Sequence, residues 1–363
     1  MPHHERYMKL ALENAKAMKG QTSPNPLVGA VIVRDNEIVG VGAHMKAGEP
    51  HAEIQALRMA GEKAKDATIY VTLEPCSHHG RTGPCAEALV KAGVKTVVVA
   101  ALDPNPLVAG RGIDILNHAD IHVITGVCEE DSIQMNEVFN HFITKKTPFV
   151  TLKTGITLDG KIASSTSDSK WITSEESRYD AHHIRSMNDA ILVGANTVIL
   201  DDPSLTSRIP DGRNPIRVIL DSRLSIPLTA KVITDDLAPT WVFTTKKADR
   251  HKISALEEAG VKVFVTGGED RVEITEVLQL LGENQVSSLM IEGGGQVNAS
   301  FLEQALVEKM VIYMAPKLIG GSKSPSFFGG EGISLMSNAI ELNPLTIEQL
   351  GKDFKITGYP TYQ

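Results

Sequence analysis

The sequence predicts two α/β domains in tandem, each a sheet covered by helices, and three observations carry that prediction. The chain has 363 residues, more than one ordinary hydrophobic core occupies at about 100–200 residues per domain. Apolar runs of strand length alternate with segments of helical periodicity along both halves, as in sheets joined by helices. One polar stretch closed by a proline, Thr144-Lys145-Lys146-Thr147-Pro148, interrupts the alternation. The domains are therefore expected at 1–145 and 146–363.

In the first half, residues 4–19 place Met8, Ala11, Leu12, Ala15 and Met18 on one helical face, with Gly20 where a C-cap belongs. Strands at 27–33 and 38–43 flank the polar turn Arg34-Asp35-Asn36-Glu37, which suits a hairpin. A helix over 51–61 leads to a strand at 68–73. A helix over 85–92 leads to a strand at 96–101, whose unbroken apolar character predicts burial on both faces. A short strand at 121–124 lies between a final pair of helices. The order α-β-β-α-β-α-β-α implies a mixed sheet. Beyond the break, strands are expected at 149–154, 189–194, 216–221, 240–244, 262–265, 287–291 and 310–315, with helices at 175–186, 250–259, 272–281 and 296–305. Residues 321–363 carry no chemical signal.

Composition narrows the function classes. Apolar residues make up 42% and charged residues 22%, values of a soluble globular chain. With 36 basic against 44 acidic side chains, a net of −8, neither nucleic acid nor an anionic membrane is the default partner. No run approaches about 18 uninterrupted apolar residues, so no membrane span is expected. The opening Met1-Pro2-His3-His4-Glu5-Arg6 is unlike a signal peptide, and three cysteines do not make a disulfide framework. A cytoplasmic location is expected.

The strongest chemical signal is His51-Ala52-Glu53, followed by Pro75-Cys76 and then Cys85. A catalytic zinc takes three protein ligands of the nitrogen or thiolate type and leaves a fourth position for water. His51, Cys76 and Cys85 supply that set, each at or near an expected helix start, where free N–H groups favour thiolate over thiol. A metal so held lowers the pKa of its water. Glu53, in the first helical turn, is placed to take a proton from that water and return it to a leaving amine. H-x-E with P-C-x-x-C is the general signature of zinc nucleobase deaminases. This chain departs from it: eight residues, 77–84, separate the cysteines where two are usual. The plainer alternatives are a structural zinc knot, or two buried cysteines beside an unrelated histidine. Cys128 has no partner pattern and reads as a core residue.

On these residues the first 143 resemble the cytidine-deaminase-like fold, an α/β/α layered domain. The eight-residue spacer and the second domain resemble the bifunctional deaminase/reductase family of riboflavin biosynthesis. The resemblance implies a phosphoribosylated diaminopyrimidinone as the deaminase substrate. Thr22-Ser23-Pro24-Asn25-Pro26-Leu27-Val28-Gly29 is similar to the family's substrate loop, which makes Asn25 a candidate ring contact. His44, the spacer residues His78, Arg81 and Thr82, and Asp103 and Asn105 after the buried strand complete the candidate contacts. Asn25, Asp103 and Asn105 also suit turns beside proline.

The second half lacks the GxGxxG fingerprint of an ordinary dinucleotide fold. It carries Glu292-Gly293-Gly294-Gly295 between an expected strand and helix, a turn that lets a phosphate approach backbone and helix N-terminus. Lys153-Thr154-Gly155, Trp171-Ile172-Thr173-Ser174, Val193-Gly194-Ala195-Asn196-Thr197-Val198 and Asp201-Asp202-Pro203-Ser204-Leu205-Thr206-Ser207-Arg208 follow in an order that resembles the same family's reductase domain. That domain has a dihydrofolate-reductase-like α/β fold and uses NADPH. The resemblance implies cofactor contacts at Gly155, Trp171, Thr197, Asp201, Ser222, Gly294, Gly295, Gln296, Val297, Asn298, Ala299 and Ser300. For the ribosyl-phosphate substrate it implies Ser169, Arg185, Leu205, Arg208 and Glu292, with Lys153 near the site of hydride transfer. NADPH rather than NADH comes from the resemblance alone; no local feature of the sequence gives selectivity for a 2′-phosphate.

The expected function is therefore zinc-dependent deamination followed by NADPH-dependent reduction of the ribosyl moiety to ribityl phosphate. No nucleic-acid or membrane partner is expected, and the resemblance implies a homo-oligomer formed through the reductase domain. A rival reading is a nucleic-acid editing deaminase with an accessory C-terminal domain. It requires a basic, aromatic-bearing groove, which the net charge and 5% aromatic content do not encourage.

Overall fold

In the computed structural model, which describes residues 2–77, 83–105 and 109–362, the chain divides inside the polar stretch at 144–148. One unit runs over Met1–Lys146 and the other over Thr147–Gln363.

The first unit opens with α1 (Pro2–Lys16), then the hairpin β1 (Gly29–Arg34) and β2 (Glu37–Ala43). Asp35 and Asn36 both take positive φ, 50° and 65°, as tight two-residue hairpin turns require. There follow α2 (Ala52–Ala60), β3 (Thr68–Leu73), α3 (Cys85–Ala92), β4 (Thr96–Ala101), α4 (Arg111–His118), β5 (His122–Thr125), α5 (Glu129–Met135) and α6 (Glu137–Lys145). The sheet order is β2-β1-β3-β4-β5. Here β1 is antiparallel to both neighbours while β3, β4 and β5 run parallel, a mixed sheet. One face packs on α2, α3 and α4 through Ala52, Ala56, Leu89 and Leu116. The other packs on α1 through Tyr7, Met8 and Leu12, with half-buried Cys128 at its margin. Valines 97–99 of β4, between the two faces, have no exposed surface.

Two details differ from the sequence expectation. The first helix ends at Lys16 and not beside Gly20. After β5 there are two helices, because the buried Asn136 between them pairs with the backbone of Leu27. Its Oδ1 accepts the Leu27 N–H at 2.8 Å and its Nδ2 donates to the Leu27 carbonyl at 2.9 Å.

The second unit begins with β6 (Phe149–Thr157), α7 (Glu175–Met187), β7 (Ala190–Gly194), α8 (Ala195–Asp201), β8 (Ile216–Leu220) and α9 (Lys231–Thr234). It continues through β9 (Thr240–Thr245), α10 (Arg250–Glu258), β10 (Lys262–Thr266), α11 (Ile274–Glu283), β11 (Ser288–Ile291), α12 (Gly295–Glu303) and β12 (Lys309–Ala315), and closes on β13 (Glu341–Leu350) and β14 (Asp353–Thr361). The nine strands are ordered β10-β9-β8-β7-β11-β6-β12-β14-β13. The seven from β10 to β12 run parallel, and β14 is antiparallel to both neighbours. The apolar faces of β7, β8 and β9 pack on both sides, with Leu192 and Val218 on one and Ile191 and Ile219 on the other.

The short α8 and α9 and the hairpin β13–β14 are additions to the sequence reading. No side chain caps α8, and α9 is a single turn. Most of β13 is exposed on both faces, so no period-two apolar alternation marks it, and its register shifts between Leu342 and Leu345, around Pro344. A proline is tolerated at such an irregularity of an edge strand.

Candidate functional site

In the first unit, His51 is the N-cap residue of α2 and Cys85 opens α3. Cys76 stands in the loop after β3, so it is not itself at a helix start. It benefits from one instead: the Cys85 backbone N–H, the first of α3, donates to Cys76 Sγ at 3.3 Å. The His51 Nδ1 lies 3.5 Å from Cys76 Sγ and 3.3 Å from Cys85 Sγ, and all three ligand atoms fall within 4.8 Å of one another. Tetrahedral zinc, with Zn–N of about 2.0 Å and Zn–S of about 2.3 Å, needs nitrogen–sulfur separations of roughly 3.5 Å. The set fits. Among the described residues no fourth histidine, cysteine or carboxylate joins it.

The electrostatics agree with a cation site. The Cys85 thiol, hydrogen-bonded to Cys76, and His51 beside it hold Cys76 well below the usual thiol range, while that same interaction pushes Cys85 up. One negative charge is thus already shared between the sulfurs, and hydrogen bonding to Cys76 raises His51. Glu53, in the first turn of α2, is 3% exposed, and its Oε2 has no hydrogen-bond partner. Burial, then the Cys76 charge, pushes its carboxyl up to about 7. A buried carboxylate oxygen without a partner is costly, and a divalent cation with its water would relieve it.

The other candidate contacts of this unit gather in two places. Asn25 Nδ2 lies 3.0 Å from His44 Nε2, and the buried His44 ring meets His51 edge-on with centroids 5.3 Å apart. Burial, then His51, lowers the His44 pKa. Asp103 and Asn105 follow β4 at its carboxyl end, where open sheets bind ligands, and Asp103 Oδ1 accepts the Asn105 N–H at 2.9 Å. His78, Arg81 and Thr82 lie outside the described residues. Sequence reasoning missed Glu74. This buried carboxylate accepts from the backbone N–H groups of Asp103, Gly110 and Gly112 at 3.3, 3.0 and 2.9 Å. It thereby anchors both ends of the segment that carries Asp103 and Asn105.

The second unit holds a cavity of about 790 Å³ at the carboxyl ends of β7, β8 and β11. Of the expected cofactor residues, Thr197, Asp201, Ser222, Gly294, Gly295, Gln296, Val297 and Ser300 line it. A Cβ on Gly294 would meet nothing within 4 Å, whereas one on Gly295 would stand 2.6 Å from the Ser326 carbonyl oxygen. Gly294 therefore leaves backbone open to a ligand, and Gly295 lets the 324–330 segment close on α12. The volume suits a dinucleotide, since ligand cavities run to about 1,000 Å³. Asn298 and Ala299 do not line the cavity: both are buried in α12, and Asn298 Nδ2 donates to the Phe327 carbonyl at 2.8 Å. Gly155 and Trp171 also stand outside its lining. A Cβ on Gly155 would crowd Thr173 at 3.2 Å. The Trp171 ring is exposed under the Arg178 guanidinium, 4.4 Å away. Ser169, expected at the substrate, lines the cavity with the cofactor residues.

The remaining substrate candidates form a charged cluster. Arg185 donates to Glu292 Oε1 through Nε and Nη2 at 3.2 and 2.8 Å and to the Thr206 carbonyl through Nη1 at 2.6 Å. Lys153 Nζ lies 3.5 Å from Glu292 Oε2. Burial would raise Glu292, but Arg185 and Lys153 outweigh it and hold the carboxyl at about 2. Leu205 is buried with a φ of 54°, and Arg208 follows it in the same loop. His182, one turn before Arg185, was also missed. Burial, then Arg185 and Arg208, lowers its pKa to about 4, and its Nδ1 is buried without a partner.

Comparisons with known proteins bear on both units. Residues 1–101 match the family model of the cytidine and deoxycytidylate deaminase zinc-binding region, and residues 148–356 match that of the RibD C-terminal domain. The riboflavin biosynthesis protein RibD of Bacillus amyloliquefaciens is 50% identical, with 98% of this chain and 96% of that one covered. Its counterpart in Aquifex aeolicus is 48% identical over 97% of both. Among solved structures, RibD of Acinetobacter baumannii is similar at 40% identity and a TM-score of 0.88, covering 99% of each chain. A Thermotoga maritima diaminohydroxyphosphoribosylaminopyrimidine deaminase/5-amino-6-(5-phosphoribosylamino)uracil reductase is similar at 36% identity and a TM-score of 0.87, again over 99% of each. A match along the whole chain leaves no room for an editing deaminase with an accessory tail. The chain belongs to the bifunctional riboflavin-biosynthesis RibD family, whose members join a zinc-binding deaminase domain to an NADPH-dependent reductase domain.

Proposed function

We propose that the first unit deaminates 2,5-diamino-6-(5-phosphoribosylamino)pyrimidin-4-one and that the second reduces the ribosyl moiety of the product to ribityl phosphate. The assignment of substrate rests on the similarity to the Thermotoga maritima enzyme. His51, Cys76 and Cys85 hold the zinc. Bound there, zinc acts as a Lewis acid and lowers the pKa of a water. Glu53 would take a proton from the attacking water and return it to the departing amine, so that ammonia leaves neutral. Its burial suits the task, because a carboxyl that titrates near neutrality both accepts and donates. Asn25 and His44 orient the pyrimidine ring. Asp103 and Asn105, with His78, Arg81 and Thr82, complete its contacts.

In the second unit the glycine turn and α12 N-terminus take the cofactor's pyrophosphate, with Thr197, Asp201, Ser222 and Ser300 along its length. NADPH supplies the hydride. Lys153, ion-paired with Glu292 at 3.5 Å, gives a proton to the imine nitrogen of the ring-opened sugar while its carbon takes the hydride. The Arg208 guanidinium fork takes the substrate phosphate, with the remaining N–H groups of Arg185 beside it. The exposed edge strand β13, with Leu345 and Ile347 outward, offers the surface for a homo-oligomer. Free thiols in a metal-binding arrangement support a cytoplasmic location.

The single observation that carries the deaminase reading is the partnerless Glu53 oxygen beside three ligand atoms spaced for zinc. Ammonia release and NADPH oxidation on the phosphoribosyl substrate test it together. Glu53→Gln is expected to abolish ammonia release while zinc content stays at one per chain and reduction of pre-deaminated substrate is unchanged. Ammonia release that survives the substitution would overturn the assignment.

A further inference from the structure

The reading of the second cavity as a dinucleotide site leaves open how it would distinguish NADPH from NADH, and the far end of the cavity bears on this. Lys153 stands on β6 and Glu292 at the end of β11, whereas Ser222, Arg223 and Ser225 follow β8 and Arg271 lies between β10 and α11. From β6 to β8 is three strand positions in the sheet, roughly 14 Å at the usual strand spacing. The glycine turn after β11 lies between them. A dinucleotide with its pyrophosphate at that turn and its reactive ring toward Lys153 therefore directs its adenosine ribose to the β8 end.

The wall there differs from the rest. Arg223 and Arg271 line it, together with Ser222 and Ser225. Ser222 Oγ accepts the Val272 N–H at 3.2 Å, which ties the Arg271 segment to the end of β8 and leaves the hydroxyl proton to donate elsewhere. The carboxylate at the end of β8, where a ribose 2′-hydroxyl acceptor is needed for NADH, is turned away from that use. Buried Asp221 accepts from the Arg223 N–H at 3.3 Å, the Ser225 hydroxyl at 3.0 Å and the Ile226 N–H at 2.8 Å. Lys247 offsets one of the two nearby acidic charges, at 2.9 Å from Asp270 and 3.7 Å from Glu269. The other carboxylate of the lining, Asp201, ends α8, the helix after β7 and so one strand nearer Lys153. Two guanidinium forks and the Ser222 hydroxyl, with the local carboxylate already satisfied, make a receptor for an anion and not for a sugar hydroxyl.

We infer that Arg223 and Arg271, assisted by Ser222, bind the 2′-phosphate of the cofactor and set the preference for NADPH over NADH. The proposal rests on the dinucleotide reading of the cavity, and its test separates the two. Dissociation constants for NADPH and NADH are measured by calorimetric titration of the full chain and of Arg223→Gln, Arg271→Gln and the double variant. Both side chains are exposed, so unchanged melting temperatures are expected. Each single substitution is expected to weaken NADPH about tenfold or more, the worth of one charge-assisted contact, and to leave NADH within twofold. The 2′-phosphate fragment 2′-AMP should bind the unaltered chain and not the double variant. An unaltered NADPH-to-NADH ratio in the double variant overturns the proposal, as does equal weakening of both cofactors. Failure of the unaltered chain to bind either cofactor would sink the dinucleotide reading itself, and this subsite with it.

Discussion

Glu292 illustrates how a single residue carries both stability and chemistry. Its side chain is 17% exposed and touches two cations, Arg185 at 2.8 Å and Lys153 at 3.5 Å. The folded carboxyl is held at about 2 against an ordinary value of 4.5. A depressed carboxylate stabilises the fold above its unfolded pKa and loses that stabilisation as pH falls through the folded one. The second unit should therefore lose up to roughly 3 kcal/mol between about pH 4.5 and pH 2, at about 1.4 kcal/mol for each pKa unit. Glu292→Gln is expected to flatten that dependence, and at pH 7 to destabilise the unit by a similar amount because two cations lose their counter-charge. Urea midpoints across that range check both points; parallel curves for the two proteins would contradict the ion-pair account. At this scale the zinc set and Glu53 were legible because their chemistry is written in short, fixed spacings. Glu74 and His182 were not. The role of Glu74 lies in accepting three N–H groups from a segment 29 to 38 residues away, and no local pattern announces that.

The hairpin β13–β14 was the least legible element, and the structure gives it a task. Asp353, at the start of β14, is fully buried and accepts from the Ser174 N–H at 2.6 Å and the Ser177 hydroxyl at 2.7 Å. Two residues on, Lys355 pairs with Asp180 at 2.7 Å, and Asp180 also accepts from the Tyr313 hydroxyl at 2.6 Å. Both anchors grip α7, the helix that presents Arg185. The sequence located α7, because periodicity is local, and Ser174 caps it. Its tether comes from the other end of the unit, across a loop that helical or strand periodicity cannot see. Asp353→Ala should destabilise the second unit by about 3 kcal/mol, the worth of two hydrogen bonds to a charged group. It should also raise the reductase KM more than it lowers kcat, since the loosened helix serves phosphate binding and not hydride transfer. Urea unfolding and steady-state kinetics measure the two effects, and an unchanged KM would confine Asp353 to a purely structural role. The strands of both sheets, by contrast, were placed to within a few residues wherever apolar runs are buried on both faces, as at Thr96–Ala101.

At the scale of the whole molecule, each unit buries a core of its own. The apolar clusters around Ile69 and Leu89, and around Met8 and Tyr70, draw only on residues before the break. Those around Leu192, Val193 and Val311 draw only on residues after it. The two proposed ligands divide in the same way, zinc held by His51, Cys76 and Cys85 and the dinucleotide by the cavity beside Gly294. A ligand that binds only the folded form stabilises by mass action, about 2.7 kcal/mol at a hundredfold excess over its Kd. Stabilisation from each ligand should therefore fall on the unit that holds it. Calorimetric scans are expected to resolve two transitions. Chelation of zinc should lower one by several degrees and leave the other in place, and saturating NADPH should raise only the second. In the metal-free unit burial, then the Cys76 charge, pushes the Glu53 carboxyl up to about 7, so above that pH its buried charge costs the chelated unit stability. Glu53→Gln removes that ionisable group, and in chelated protein at pH 8 it should recover part of the lost stability. A single transition that moves equally with either ligand would show that the two cores unfold as one, despite their separate apolar clusters.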